Sequence, residues 1–138
     1  MPDLEQWSTG RLLNTAARLS ENALNQALVR SGVTQAGLTI LRVLEEHGQM
    51  SQNTLAAMMH VQPQTIGKAL ERLESSQHVC RTPGAQDHRV RIVSTSQKGR
   101  GALDQANIVE RSLELPDAAQ IQALRAGLRT IIDQFQRL

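Results

Sequence analysis

The chain has 138 residues, 40% hydrophobic and 20% charged, with a formal net charge of +2 and a sequence pI of about 9.3. That is the length and composition of one soluble globular domain, and its mild basicity admits a polyanionic partner without requiring one. Trp7 and Phe135 are the only aromatics, which argues against single-strand binding by base stacking, and Cys80 alone excludes an intrachain disulfide or a thiolate metal cluster within the chain.

Residues 3–31 read as one long helix, with Asp3 as its N-cap and Gly32 as its C-terminal stop. Leu12, Ala16, Leu19 and Ala23 recur at helical spacing, and Leu13, Ala17, Leu24 and Leu28 widen the stripe. Short partners within the chain cannot cover so long a stripe, so this helix is expected to reach another subunit. Thr34 caps a second helix, with Leu38, Leu41 and Leu44 inward and Gly48 at its end. Gln49-Met50 suits a brief strand. Ser51 caps a third helix carrying Leu55, and Met50, Met58 and Met59 read as core fillers. Gln62-Pro63 opens a fourth helix, where proline suits the first turn, and Ile66, Ala69, Leu70 and Leu73 form its buried stripe. Residues 79–96 read as strand, turn and strand, with Pro83 to Asp87 as the turn and 90–96 as the return strand. Gln97 to about Leu113 is helical, and Leu115-Pro116-Asp117 breaks it. In the last helix Ile121, Leu124, Leu128, Ile131, Ile132, Phe135 and Leu138 keep helical spacing, which reads as a second part of an oligomer interface. The expected fold class is mostly α, an α+β arrangement of about six helices, a two-stranded hairpin and a third very short strand.

The third and fourth helices, joined by His60-Val61, have helix-turn-helix proportions, in which the second helix enters the major groove. Opposite the fourth helix's buried stripe, Gln64, Lys68 and Arg72 follow at steps of four, flanked by Gln62 and Thr65. Gln can bond adenine bidentately, and Lys can reach guanine or phosphate. Gly67 permits close approach of another backbone. A solvated polar face is the plainer meaning of such a row on an isolated helix. The adjoining hairpin changes the balance: from Arg81 to Arg100 the cations are Arg81, Arg89, Arg91, Lys98 and Arg100, against the single acid Asp87. Helix in the major groove and Arg89 or Arg91 near the minor groove or its phosphates make a winged reader of duplex DNA.

Asp87, Arg89, Val93 and Gly99 stand in the register Asp-x-Arg, three residues, Val, with Gly six residues beyond. Thr95-Ser96 takes the place of a Leu-Thr pair, and Leu73-Glu74 and Val79-x-Arg81 lead into the hairpin. In these residues the chain resembles the MarR family of bacterial winged helix-turn-helix transcription regulators. The resemblance implies a single unit over 1–138, with a winged DNA-binding region at 32–96 and helical dimerisation regions at 1–31 and 97–138. It implies that Arg89 enters the minor groove, that Asp87 orients an arginine, either Arg89 or Arg81, and that the terminal helices interlock in a two-fold dimer on a pseudo-palindrome. Gln77-His78 departs from the family's usual Gly-Leu, so the helix either ends on a strained glutamine or runs about one residue longer.

Other features are weaker. Cys80 alternates outward if Val79 faces in, beside Arg81, and is a candidate redox thiol set against a plain strand residue. His47, His60, His78 and His88 lack metal-ligand spacing and read as surface or capping residues. Gly99-x-Gly101 lacks a phosphate-loop context and reads as a strand-to-helix junction. Trp7, Arg11, Arg18 and Arg42 are candidate walls and counter-charges of an effector pocket, as the resemblance suggests, set against ordinary surface arginines. No cofactor, metal or catalytic constellation is expected, and no membrane partner, since no apolar run is long enough to span a bilayer and no signal-peptide pattern is present. The expectation is therefore a cytoplasmic, homodimeric regulator, a repressor released by a small molecule or an oxidant. The alternative is a winged-helix protein-interaction module without specific DNA binding.

Overall fold

The computed structural model describes residues 3–112 and 117–138. The helices are α1 (Thr9–Ser31), α2 (Gln35–His47), α3 (Gln52–Met58), α4 (Pro63–Ser75), α5 (Gln97–Arg111) and α6 (Ala118–Gln136), and the strands are β1 (Met50–Ser51), β2 (Val79–Pro83) and β3 (Arg91–Thr95). The strands form one antiparallel sheet in the order β1-β3-β2, with Met50 opposite Val93 and Arg81 opposite Val93 from the other side. The brief first strand thus lies one residue later than Gln49-Met50. The interhelical break expected at Leu115-Pro116 falls outside the described residues.

Side chains at the expected caps set most boundaries. Thr34, Ser51 and Ser96 each accept a backbone N–H from the first turn of the following helix, at 3.0–3.1 Å. Gly32, at φ 72°, ends α1 in the left-handed conformation that a β-carbon disfavours. The N-terminal expectation needs correction. Asp3 caps only a 3₁₀ turn at Leu4–Gln6, Trp7 is extended, and Ser8 caps α1 through Arg11 N–H. Two competent caps lie five residues apart, and each starts its own segment.

One continuous apolar cluster runs from Leu24 and Leu28 of α1 through Leu38, Ile40, Leu41, Leu44, Leu55, Ile66, Leu70, Leu73, Val79 and Val93 to Ala102, Leu103 and Ala106 of α5. The first half of α1 contributes nothing to it: Leu12 and Leu19 are exposed. Helix α6 has no buried residue along its length. Met58 is exposed rather than core, because α3 turns Leu55 and Ala56 inward and leaves Met58 more than a quarter-turn off that face. Met50 and Met59 are partly buried and pack on the cluster.

After α4 the chain turns on Ser76 and Gln77. Helix α4 stops at Ser75, and Gln77 takes φ 67°, the strained left-handed position, so the helix does not run on. That turn drives His78 inward, to 1% exposure, correcting its reading as a surface histidine. The junction with α5 is dense. Ser96 N–H donates to His78 O at 3.0 Å, Ser96 Oγ donates to Gln77 O at 2.5 Å, and Lys98 Nζ donates to Ser76 O at 2.8 Å. Gly99 sits so close to His78 O that a β-carbon there would lie 2.2 Å away.

Candidate nucleic-acid interface

Helix α4 is held by one face. Ile66, Leu70 and Leu73 are buried, while Gln62, Gln64, Thr65, Lys68 and Arg72 are all exposed. Proline at the first position fixes φ where no helical N–H bond is lost. Gln62 is the N-cap residue but makes no side-chain capping bond, so its amide is uncommitted at the helix's leading end. The link from α3 turns through His60 at φ 56°. Gly67 faces the Gln52 side chain, 3.4 Å from where its β-carbon would be, and not another backbone as expected. Lys68 and Arg72 also line a cleft of about 200 Å³ against Gly32, Val33 and Thr34 at the start of α2.

The wing tip is closed by backbone bonds from Gly84 N–H to Val90 O (2.8 Å) and from Val90 N–H to Asp87 O (3.1 Å). Asp87 accepts three bonds from Arg89: backbone N–H at 3.0 Å, Nε at 3.2 Å and Nη2 at 3.3 Å. The paired geometry fixes the guanidinium while leaving the Arg89 side chain 92% exposed. Arg89 holds the Asp87 carboxyl below its ordinary value through those bonds. Of the two arginines open to Asp87, the structure thus selects Arg89. Arg81 turns the other way, donating to Glu74 Oε1 at 3.0 Å and Gln52 Oε1 at 3.3 Å. That bond lowers the Glu74 carboxyl, with Arg91 adding to the effect. Arg91 is exposed on β3, and Arg89, Arg91 and Asp87 share a groove of about 480 Å³ with Ser51, Gln52 and Asn53 of the α3 start. The sequence gives Ser51 only as a helix cap and Glu74 only in the Leu73-Glu74 pair, and singles out neither Gln52 nor Asn53. Only the acid beside a leucine stripe at Glu74 gave any local signal, since the partners are distant in sequence.

Cys80 is exposed on β2, opposite Ser94. The four candidate effector-pocket residues are not gathered in one cavity among the described residues. Arg11 stacks over the Trp7 ring at 3.7 Å, and Arg18 is exposed further along α1. Arg42 pairs with Glu110 across a cleft of about 490 Å³ also lined by Ser20, Glu21, Leu24 and Gln35. Its charge is engaged by Glu110 within the chain, in a cleft that neither Trp7 nor Arg11 lines.

His78 lies where the end of α4, β2 and the start of α5 meet. Its Nδ1 lies 2.6 Å from Ser76 Oγ. Burial pushes the imidazole below its ordinary 6.5, Lys98 adds like-charge repulsion, and a bond to the Ser31 backbone acts the other way. A folded value below the unfolded one means that the unfolded chain holds the extra proton between the two. Stability is therefore lost as pH falls below about 6.5, with a slope of at most about 1.4 kcal/mol per pH unit for one group. Chemical denaturation between about pH 7.5 and pH 5 should show this loss in the wild type and not in His78→Gln. Equal slopes in both proteins would remove His78 as the cause. The depressed carboxylates Asp87 and Glu74 act in a lower window, losing their contribution as pH falls through values below their ordinary 3.8 and 4.5.

Residues 33–90 match the model of the MarR family. The HTH-type transcriptional repressor MdtR of Bacillus subtilis (strain 168) is 31% identical over 74 residues, covering 54% of this chain and 48% of MdtR. The chain thus spans about half the length of that curated relative. Two solved structures share the fold at greater length. The YusO protein from Bacillus subtilis superposes with a TM-score of 0.71 at 23% identity, over 91% of this chain and 98% of its own. The transcriptional repressor CouR, bound to a 23-mer DNA duplex, does so with a TM-score of 0.72 at 22% identity, over 94% and 96%. Residues 33–90, which hold α2, α3, α4, β2 and the wing tip, thus match the MarR family in sequence, and the chain shares the fold of these two structures.

Proposed function

We propose that the chain is a homodimeric transcription regulator, a repressor, that binds pseudo-palindromic duplex DNA in the bacterial cytoplasm. Residues 32–96 are the DNA-binding region, and 1–31 and 97–138 the dimerisation region of a single unit. The observation that carries the reading is Arg89, almost wholly exposed yet fixed by Asp87 at the wing tip, beside an α4 whose outward row is Gln64, Lys68 and Arg72. A cation held out of contact with its own core suits a minor groove or its phosphates, and the α4 row suits base edges in the major groove. Gln62, Thr65 and Arg91 extend the two contacts. The name of MdtR and the duplex held by CouR support repression and DNA as the partner. Release would come from a small molecule in the Arg42 cleft or from oxidation at exposed Cys80, either acting by its differential affinity or reactivity for the two states. We assign no catalytic activity, since the family consists of regulators.

The test begins with selection of a duplex from a randomised pool by the wild-type protein. Arg89→Ala should then weaken binding to that duplex and lower the slope of log affinity against log salt by about one, since one phosphate-neutralising cation is lost. An unchanged affinity would take the wing out of the mechanism. Selection of no duplex at all would favour the protein-interaction module instead.

A further inference from the structure

We propose that Arg81 is the positioning residue that fixes the recognition helix α4 relative to the wing, through a three-element clamp with Gln52 and Glu74; this rests on the DNA-binding reading above. Arg81 lies on β2, Gln52 opens α3, and Glu74 lies in the last turn of α4. The guanidinium reaches both, with Nη2 donating to Glu74 Oε1 at 3.0 Å and Nη1 to Gln52 Oε1 at 3.3 Å. Gln52 in turn lays its amide against Gly67, two turns before Glu74 on α4. The clamp therefore touches the recognition helix at two points on one face, and two points on a rod set its direction.

Arg81 and Arg89 are chemically alike and structurally opposed. The Arg81 side chain is 13% exposed, and the Arg89 side chain is 92% exposed. With its side chain mostly buried and both terminal nitrogens donating inside the protein, Arg81 is not offered to a phosphate as Arg89 is. A partly buried ion pair is also weak evidence for stability, because well-packed apolar replacements are often as stable. What such a pair does supply is a defined geometry between elements. Here those elements are the two that must be aimed together at adjacent grooves. A loosened clamp should spare binding that depends only on backbone charge and reduce binding that depends on aim.

The test uses the full chain, the duplex selected by wild type and a scrambled duplex of equal composition. Arg81→Met keeps the volume and removes the bonds. It is expected to bind the selected duplex about tenfold more weakly, the scale of coupling within one polar network. Its salt slope should stay at the wild-type value, and its affinity for the scrambled duplex should barely change. Glu74→Gln, at a half-exposed side chain that folding tolerates, should move the ratio of the two affinities in the same direction. The double change Glu74→Arg with Arg81→Glu should restore most of that ratio, which a merely structural role would not predict. A salt slope lowered by about one in Arg81→Met would make Arg81 a phosphate contact and overturn the proposal. So would wild-type discrimination in both single variants. A wild type that selects no duplex overturns the DNA-binding reading and this proposal together, whereas the other two outcomes overturn this proposal alone.

Discussion

Replacing Gly99 by alanine is expected to cost about 3 kcal/mol of folding stability, the upper range for forcing extra volume into a packed site. The added β-carbon would lie 2.2 Å from His78 O and 2.8 Å from Thr95 Cγ2. The nearer obstacle is backbone and cannot rotate away. It also accepts Ser96 N–H, so moving it breaks the bond that ties the end of β3 to the chain entering β2. Helix α5 must then withdraw from the sheet, which strains the Ser96 cap and the Ser96–Gln77 bond as well. At this chain length the loss corresponds to a fall of roughly 10 °C in melting temperature. Gly101, two residues on in the same helix, has nothing within 4 Å of its β-carbon position. Gly101→Ala should therefore stabilise by up to about 1 kcal/mol through helix propensity alone. Thermal melts by circular dichroism separate the two. Similar small shifts in both variants would mean that the close approach at Gly99 does not hold in solution.

The same junction marks where sequence reasoning stops. The capping residues Thr34, Ser51 and Ser96 and the stripe Ile66, Leu70, Leu73 are local signals, and the structure follows them. The wing tip is equally local, because Asp87 and Arg89 are two residues apart and complete one turn between them. His78 is different. Its burial follows from the left-handed turn at Gln77 and from α1 and α5 closing over it, none of which its own residue type announces. The arginine that Asp87 orients is likewise open in the sequence, between Arg89 and Arg81, and the choice is made by the path of β2, which carries Arg81 to Glu74 and Gln52. Periodicity marked the apolar rows of α1 and α6 correctly as rows. It could not say what faces them, because a period gives a direction on the helix and no address.

Leu124→Glu is expected to convert the proposed dimer into monomers and to lower affinity for a two-half-site duplex by about a hundredfold or more. Helix α6 has 19 residues and buries none of them, while Ile132 is 54% and Phe135 69% exposed. A helix so placed gains little from tertiary packing, which is the main source of helix stability in proteins. Leu124, Leu128 and Ile131 face Leu12, Leu13 and Ala16 of α1 across a groove of about 580 Å³ whose only polar lining residues are Thr9 and Ser20. Apolar surface of this extent, on α6 and the first half of α1, which the core leaves uncovered, is what a second copy would bury at roughly 25 cal/mol per Å². A carboxylate at position 124 would have to be desolvated in that contact, at a cost that exceeds the contribution of one leucine. Once the dimer is lost, the second half-site no longer binds at the high effective concentration set by the first, and the affinity falls with it. Sedimentation equilibrium reads the oligomer, and fluorescence anisotropy on the selected duplex reads the affinity. A wild type that sediments as a monomer and binds one protomer per duplex would sink the dimer. A Leu124→Glu protein that remains dimeric would move the interface away from this groove.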